Sequence, residues 1–234
     1  MKKSDNQPCF LFDLYGTLVD IRTDEKSQKF KKQFNAYFKK INPQKDFFTE
    51  YYALCNSLSK DGGETCEIDL SAVFAEICGQ EKSADAARRF RKLSTEYLKL
   101  YGGVRAFLKK LKAKGKKLFI LSNAQSCFTL DELKKLKILK YFDGVEISSD
   151  FGRKKPDACF FENLFSKYAL KKEDSIFVGN DICSDLRGAQ AASLRSAYVL
   201  SNLSPESDSL EEAKKIAAFA CDSHKKLFEN ILSL

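Results

Sequence analysis

Histidine occurs once in the chain, as His224 in a lysine-flanked stretch near the C-terminus. One imidazole cannot build a multi-histidine metal centre, and its setting argues against Ser-His-Asp or Cys-His nucleophilic systems. The eight cysteines (9, 55, 66, 78, 127, 159, 183 and 221) include no CxxC pair, which argues against a zinc cage and against a disulfide framework. Small buried thiols are the simpler reading. Cys127, Cys159 and Cys183 each follow a polar motif taken up below, but a reactive thiol there would need a lowered pKa. No run approaches the ~20 apolar residues of a membrane-spanning helix, and the lysine-led "MKKSDNQ" precedes only a short apolar run that breaks at Asp13. Internal repeats and low-complexity linkers are missing too. The expectation is a cytoplasmic protein with no membrane partner, whose chemistry rests on carboxylates, lysine and hydroxyls.

What is present points to a globular enzyme-sized chain. Its 234 residues, 44% hydrophobic and 31% charged, suit one or two domains with a sizeable core. The net charge of +8 is carried mostly by lysine, as in "KSQKFKKQFNAYFKKI". There Phe30, Phe34, Tyr37, Phe38 and Ile41 recur at the spacing of a buried helical face, so the lysines form its solvated side. That pattern predicts no nucleic-acid partner; the charge would instead draw a small anionic metabolite inward.

Short apolar runs stand at "CFLF" (9–12), "KLFIL" (117–121), "VEIS" (145–148), "SIFVG" (175–179) and "SAYVL" (196–200). From the second onward they alternate with helical patterns. These are Val104, Phe107, Leu108 and Leu111 ending at Gly115; Leu130, Leu133 and Leu136; and Phe160, Phe161, Leu164, Phe165 and Tyr168. Continuous apolar strands alternating with helices predict an α/β fold, a doubly wound parallel sheet of Rossmann-like type covered on both faces. Between residues 21 and 100 the pattern is helix after helix with no convincing strand. The expectation is a core of residues 1–20 and 101–234 with an all-helical cap domain of 21–100, and "YGG" (101–103) as a return hinge or a plain helix break.

Polar residues gather where the runs stop: Asp13 after the first, Ser122 and Asn123 after the second, Lys155 in "GRKKPD" after the third, and "GNDICSD" (179–185) after the fourth. In a parallel sheet these ends share one edge, so distant residues converge on one crevice. Taken singly, each has a bland alternative as a turn or helix-cap residue.

In order along the chain, "DLYGTL", "FILSN", "KKPD" and "VGNDICSD" resemble the four motifs of the haloacid dehalogenase superfamily of hydrolases, with a helical cap after the first. The resemblance covers residues 9–200. It implies that Asp13 attacks the substrate to form a covalent aspartyl intermediate, Ser122 hydrogen-bonds the transferring group, and Lys155 offsets negative charge. It further implies Thr17 and Asn123 as substrate-binding residues. Magnesium would be held by Asp13, the Tyr15 carbonyl and the acidic motif, with Asp185 the firmer ligand and Asp181 or Asn180 the second.

Tyr15 departs from the phosphatase pattern, which places there an aspartate acting as general acid and base. Such help is worth about 10²–10⁴ in rate, and a tyrosine can supply at most weak donation at neutral pH. A halide leaving group needs no proton, so Tyr15 by itself favours a metal-independent 2-haloacid dehalogenase. Against that, three carboxylates beside one lysine call for a divalent cation. The chain also lacks arginine between Arg22 and Arg88, where dehalogenases receive the halide, and carries Phe161 where they have tyrosine. The reading is a magnesium-dependent phosphatase of a small phosphomonoester, with the dehalogenase and a catalytically degenerate binder as alternatives. Tyr51, Tyr52, Lys60, Asp61 and Glu64 are the cap residues that could set specificity.

Overall fold

The computed structural model describes residues 9–59 and 63–234. Strand β1 (Cys9–Phe12) leads into β2 (Val19–Thr23) and four helices, α1 (Gln28–Phe38), α2 (Phe47–Ser59), α3 (Leu70–Cys78) and α4 (Gln80–Ser94). The chain returns through β3 (Thr95–Leu100), α5 (Val104–Ala113), β4 (Lys117–Ser122), α6 (Ser126–Lys135), β5 (Gly144–Ile147), α7 (Ser148–Phe151) and α8 (Ala158–Tyr168). It ends with β6 (Ser175–Gly179), a turn of π geometry (Ile182–Leu186), α9 (Arg187–Ala191), β7 (Arg195–Val199), α10 (Leu210–Ile216), β8 (Phe219–Cys221) and α11 (His224–Leu232).

Six parallel strands lie in the order β5-β4-β1-β6-β7-β8. Alternation along each strand explains why both faces are apolar. Phe10, Phe12, Leu118, Ile120 and Val178 pack on one side with α5 and α11, whereas Leu11, Phe119, Leu121 and Phe177 pack on the other with α8. Each such side chain contributes about 1.5–3 kcal/mol on burial, and the order places β1 in the sheet's interior. Asp13 therefore leaves the sheet near its centre.

The expected helical patterns of α5 and α8 are present, with Val104, Phe107, Leu108 and Leu111 buried, and Phe160, Phe161, Leu164 and Phe165 likewise. Helices α1–α4 build a second core around Phe30, Phe34, Phe38, Phe47, Phe74 and Phe90. Phe128, from α6, inserts into it and stacks on Phe90 with ring centroids 6.0 Å apart. The 21–100 stretch is not purely helical, however. β2 and β3 form an antiparallel ribbon with Val19 opposite Leu100 and Arg22 opposite Tyr97, joining the two cores. Among the described residues, no helix is long and apolar enough to cross a membrane.

Candidate active site

Backbone pairing carries Asp13 to the sheet's carboxyl edge: its N–H donates to the Val178 carbonyl at 2.9 Å. Gly16, in the turn that follows, has φ +92°, and a Cβ there would lie 2.2 Å from the Asn180 side chain. Only glycine lets the first and fourth motifs approach this closely. Gly179 is equally confined, since a Cβ would fall 2.3 Å from an Asp185 oxygen.

Lys155 is the hub. Its Nζ donates to Asp13 Oδ1 and Asp185 Oδ1, both at 2.7 Å, and the residue is 2% exposed. Burial alone would lower the ammonium's pKa, but the charges of Asp13 and Asp185 override it and raise the value. Burial pushes the Asp185 carboxyl up, to about 7, against the pull of Lys155. The other Asp185 oxygen accepts the N–H groups of Asn180 at 2.9 Å and Asp181 at 3.1 Å. Ser122 Oγ and Thr17 Oγ1 each stand 3.4 Å from an Asp13 oxygen, and Thr17 also donates to Asn180 Oδ1 at 3.1 Å. Asn123 grips the lysine loop: its Nδ2 donates to the Lys155 carbonyl at 2.9 Å and its Oδ1 accepts the Lys155 N–H at 2.8 Å.

Asp13, Tyr15, Asn123, Lys155, Asn180, Asp181, Ser184, Asp185, Leu203 and Pro205 line a cavity of about 280 Å³, at the small end for ligand sites. Ser184, Leu203 and Pro205 were not singled out from the sequence. The latter two follow β7, and the strand-end rule that located the motifs would have found them had it been extended to the fifth apolar run.

Among the described residues, no three histidine, cysteine or carboxylate side chains gather closely enough to hold a metal by themselves. Asp185, which the resemblance gives as the firmer ligand, has one oxygen accepting from Lys155 and the other from two main-chain N–H groups. Magnesium asks for less: one or two carboxylates, with water and substrate oxygens completing the octahedron. Asp13 and Asp181 share the cavity with Tyr15 and Asn180, a hard-oxygen donor set that fits this ion.

Tyr15 is engaged elsewhere. Its hydroxyl donates to Glu132 Oε2 at 2.5 Å and lies 3.0 Å from Thr129 Oγ1, while Glu132 Oε1 accepts Arg91 Nε at 2.6 Å. Burial first, and then the Glu132 charge, hold the phenol well above its ordinary range. Its proton points to Glu132 of α6. Arg22 pairs with Glu96 at 3.0 Å on the ribbon with its side chain 68% exposed, and Phe161 is buried against Phe177. Neither lines the cavity.

Of the cap candidates that are described, Tyr51, Tyr52 and Glu64, none lines it either. Tyr51 packs on the phenylalanine cluster, Tyr52 and Glu64 are exposed, and Lys60 and Asp61 lie outside the described residues. The 65–70 segment is instead laced to the core beside the lysine loop. The Lys154 N–H donates to the Thr65 carbonyl at 2.9 Å, that of Glu67 to Gly152 at 3.1 Å, and Gln125 Nε2 to Ile68 at 2.8 Å. Of the cysteines, Cys159 and Cys183 are exposed and only Cys9, Cys78 and Cys221 are buried, so burial is not their common setting. His224 stacks on Tyr101, centroids 3.8 Å apart, with Nε2 buried and, among the described residues, without a hydrogen-bond partner.

An open parallel sheet with a carboxylate–lysine–carboxylate cluster at its carboxyl edge defines the class, a Rossmann-like α/β hydrolase. Residues 10–199 match the sequence pattern of the haloacid dehalogenase-like hydrolases, and the chain belongs to that family. It is 27% identical over 167 residues to a glyceraldehyde 3-phosphate phosphatase of Methanothermobacter thermautotrophicus, covering 70% of this chain and 74% of that one. A phosphoserine phosphatase of Thermus thermophilus is 28% identical over 132 residues, about half of each chain, 54% and 53%. The crystal structure of a HAD phosphatase from Thermococcus onnurineus superposes with a TM-score of 0.63 at 17% identity, covering 96% of this chain and 97% of that one, a likeness of fold.

Proposed function

We propose that the protein is a magnesium-dependent phosphatase of a small phosphomonoester, working through an aspartyl-phosphate on Asp13. The observation that carries this reading is the shared Lys155, 2.7 Å from both Asp13 and Asp185. It fixes the nucleophile in a cavity suited to one small anion. The phosphatases among the similar proteins support the same chemistry.

In the first step an Asp13 oxygen attacks phosphorus and the bond to the leaving oxygen breaks. Lys155 and the Ser122 hydroxyl meet the charge building on the phosphoryl oxygens. The departing alkoxide takes its proton from water, since Tyr15 is held by Glu132. In the second step water attacks the phosphoryl group, releasing inorganic phosphate and restoring the Asp13 carboxylate. Magnesium, held by Asp13, the Tyr15 carbonyl and Asp181 or Asn180, would supply positive charge to the phosphoryl oxygens. Asp185 acts by positioning Lys155.

The test is phosphate release from p-nitrophenyl phosphate and chloride release from 2-chloropropionate, each with magnesium and with EDTA, using Asp13→Asn as control. Magnesium-dependent phosphate release that disappears in the variant is expected. EDTA-resistant chloride release would overturn the proposal in favour of dehalogenation, and release of neither ion would favour a binder without turnover.

A further inference from the structure

The segment after β7, "SNLSPESD" (201–208), is tied down at both ends. At one end Asn202 Nδ2 donates to Asp20 Oδ1 at 3.0 Å and its Oδ1 accepts the Tyr101 hydroxyl at 2.7 Å. At the other, Asp208 Oδ2 accepts the Ile182 N–H at 2.8 Å, inside the acidic motif, and the Tyr198 hydroxyl at 3.1 Å. Between these anchors the Ser201 N–H donates to Ser204 Oγ at 3.1 Å, and the Asp208 N–H donates to the Pro205 carbonyl at 3.0 Å. The result is a fixed strap. Leu203 and Pro205 face the cavity from it and, Tyr15 apart, are its only apolar lining residues among those described.

We infer that this strap selects the leaving group: Leu203 and Pro205 form an apolar wall, in the cavity of Asp13 and Lys155, that takes phosphomonoesters presenting carbon in preference to polyhydroxylated ones. The inference rests on the phosphatase reading and adds a substrate class to it. Neither side chain can hydrogen-bond, so a hydroxyl laid against the wall loses water without a replacement partner, while a methylene gains burial. A wall already held in place loses little freedom when a ligand meets it. One methylene in an apolar pocket discriminates by about 10–200-fold.

Propyl phosphate and glycerol 1-phosphate have the same three-carbon length and differ by two hydroxyls, so the ratio of their kcat/KM values isolates the wall. The native chain is expected to favour propyl phosphate by about tenfold or more. Leu203→Ser and Pro205→Ser, both at half-exposed positions, should each cut that ratio several-fold, chiefly through KM for propyl phosphate. A native ratio near one, or a ratio unmoved in both variants, would overturn the inference while leaving the phosphatase intact. No phosphate release from either ester or from p-nitrophenyl phosphate would overturn both.

Discussion

Replacing Lys155 with methionine would leave Asp13 and Asp185 buried and facing each other without a counter-charge. Breaking such a pair costs about 3–5 kcal/mol, so Lys155→Met should lower the urea midpoint steeply. Adding Asp185→Asn should recover part of the loss, because one uncompensated charge is gone; no recovery would mean that the cost lies in packing. Tyr15→Phe separates two accounts of that residue. Loss of its bond to the Glu132 carboxylate should cost about 1.5–3 kcal/mol, yet kcat should fall less than tenfold. A drop of 10²–10⁴ would instead mark a general acid. Asp13 and Lys155 were legible in the sequence because both follow apolar runs, and strand ends meet by topology. The partner of Tyr15 was not: Glu132 lies 117 residues away and is itself held by Arg91, 41 residues from it.

Five of the six sheet strands could be read from their continuous apolar runs, the three-residue edge strand β8 being too short to give one, and α5 and α8 from their spacing. The β2–β3 ribbon could not. "TEYLKL" follows α4 without a break, and the Asp20–Tyr97 hydrogen bond across the ribbon spans 77 residues, so no local signal announces the pairing. Helix α6 poses a similar problem: it belongs to the sheet's layers by sequence, yet Phe128 belongs by packing to the α1–α4 cluster. Phe128→Ala should therefore cost about 3–5 kcal/mol and speed amide exchange in α3 and α4 more than in β1 and β6. Equal acceleration in both regions would show that the two cores unfold as one unit.

Across the whole molecule, two buried groups should make stability depend on pH with opposite signs: Asp185, whose carboxyl burial pushes up to about 7, favours the fold as pH falls through that value, and His224 opposes it. Burial lowers the His224 pKa from the ordinary 6.5, with the Gly16 and Thr17 main chain opposing. The unfolded chain then binds the proton more readily, so this contribution is present above pH 6.5 and is lost as pH falls below it. In His224→Phe, which keeps the stacking on Tyr101, lowering the pH from 7 to 5.5 should favour the fold more, by melting temperature, than it does in the native chain; an identical pH response in the two would remove the histidine's part. Magnesium at 100 times its Kd should stabilise the fold by about 2.7 kcal/mol, read as a rise in melting temperature that EDTA reverses and Asp13→Asn weakens. The Phe128 insertion also has an optical consequence. The chain contains no tryptophan, so Phe128→Trp would place a lone indole where the two cores meet, against Phe74 and Phe90. Its emission would stay blue if the cores remain docked and shift red if they part, a label-free test of whether turnover separates them.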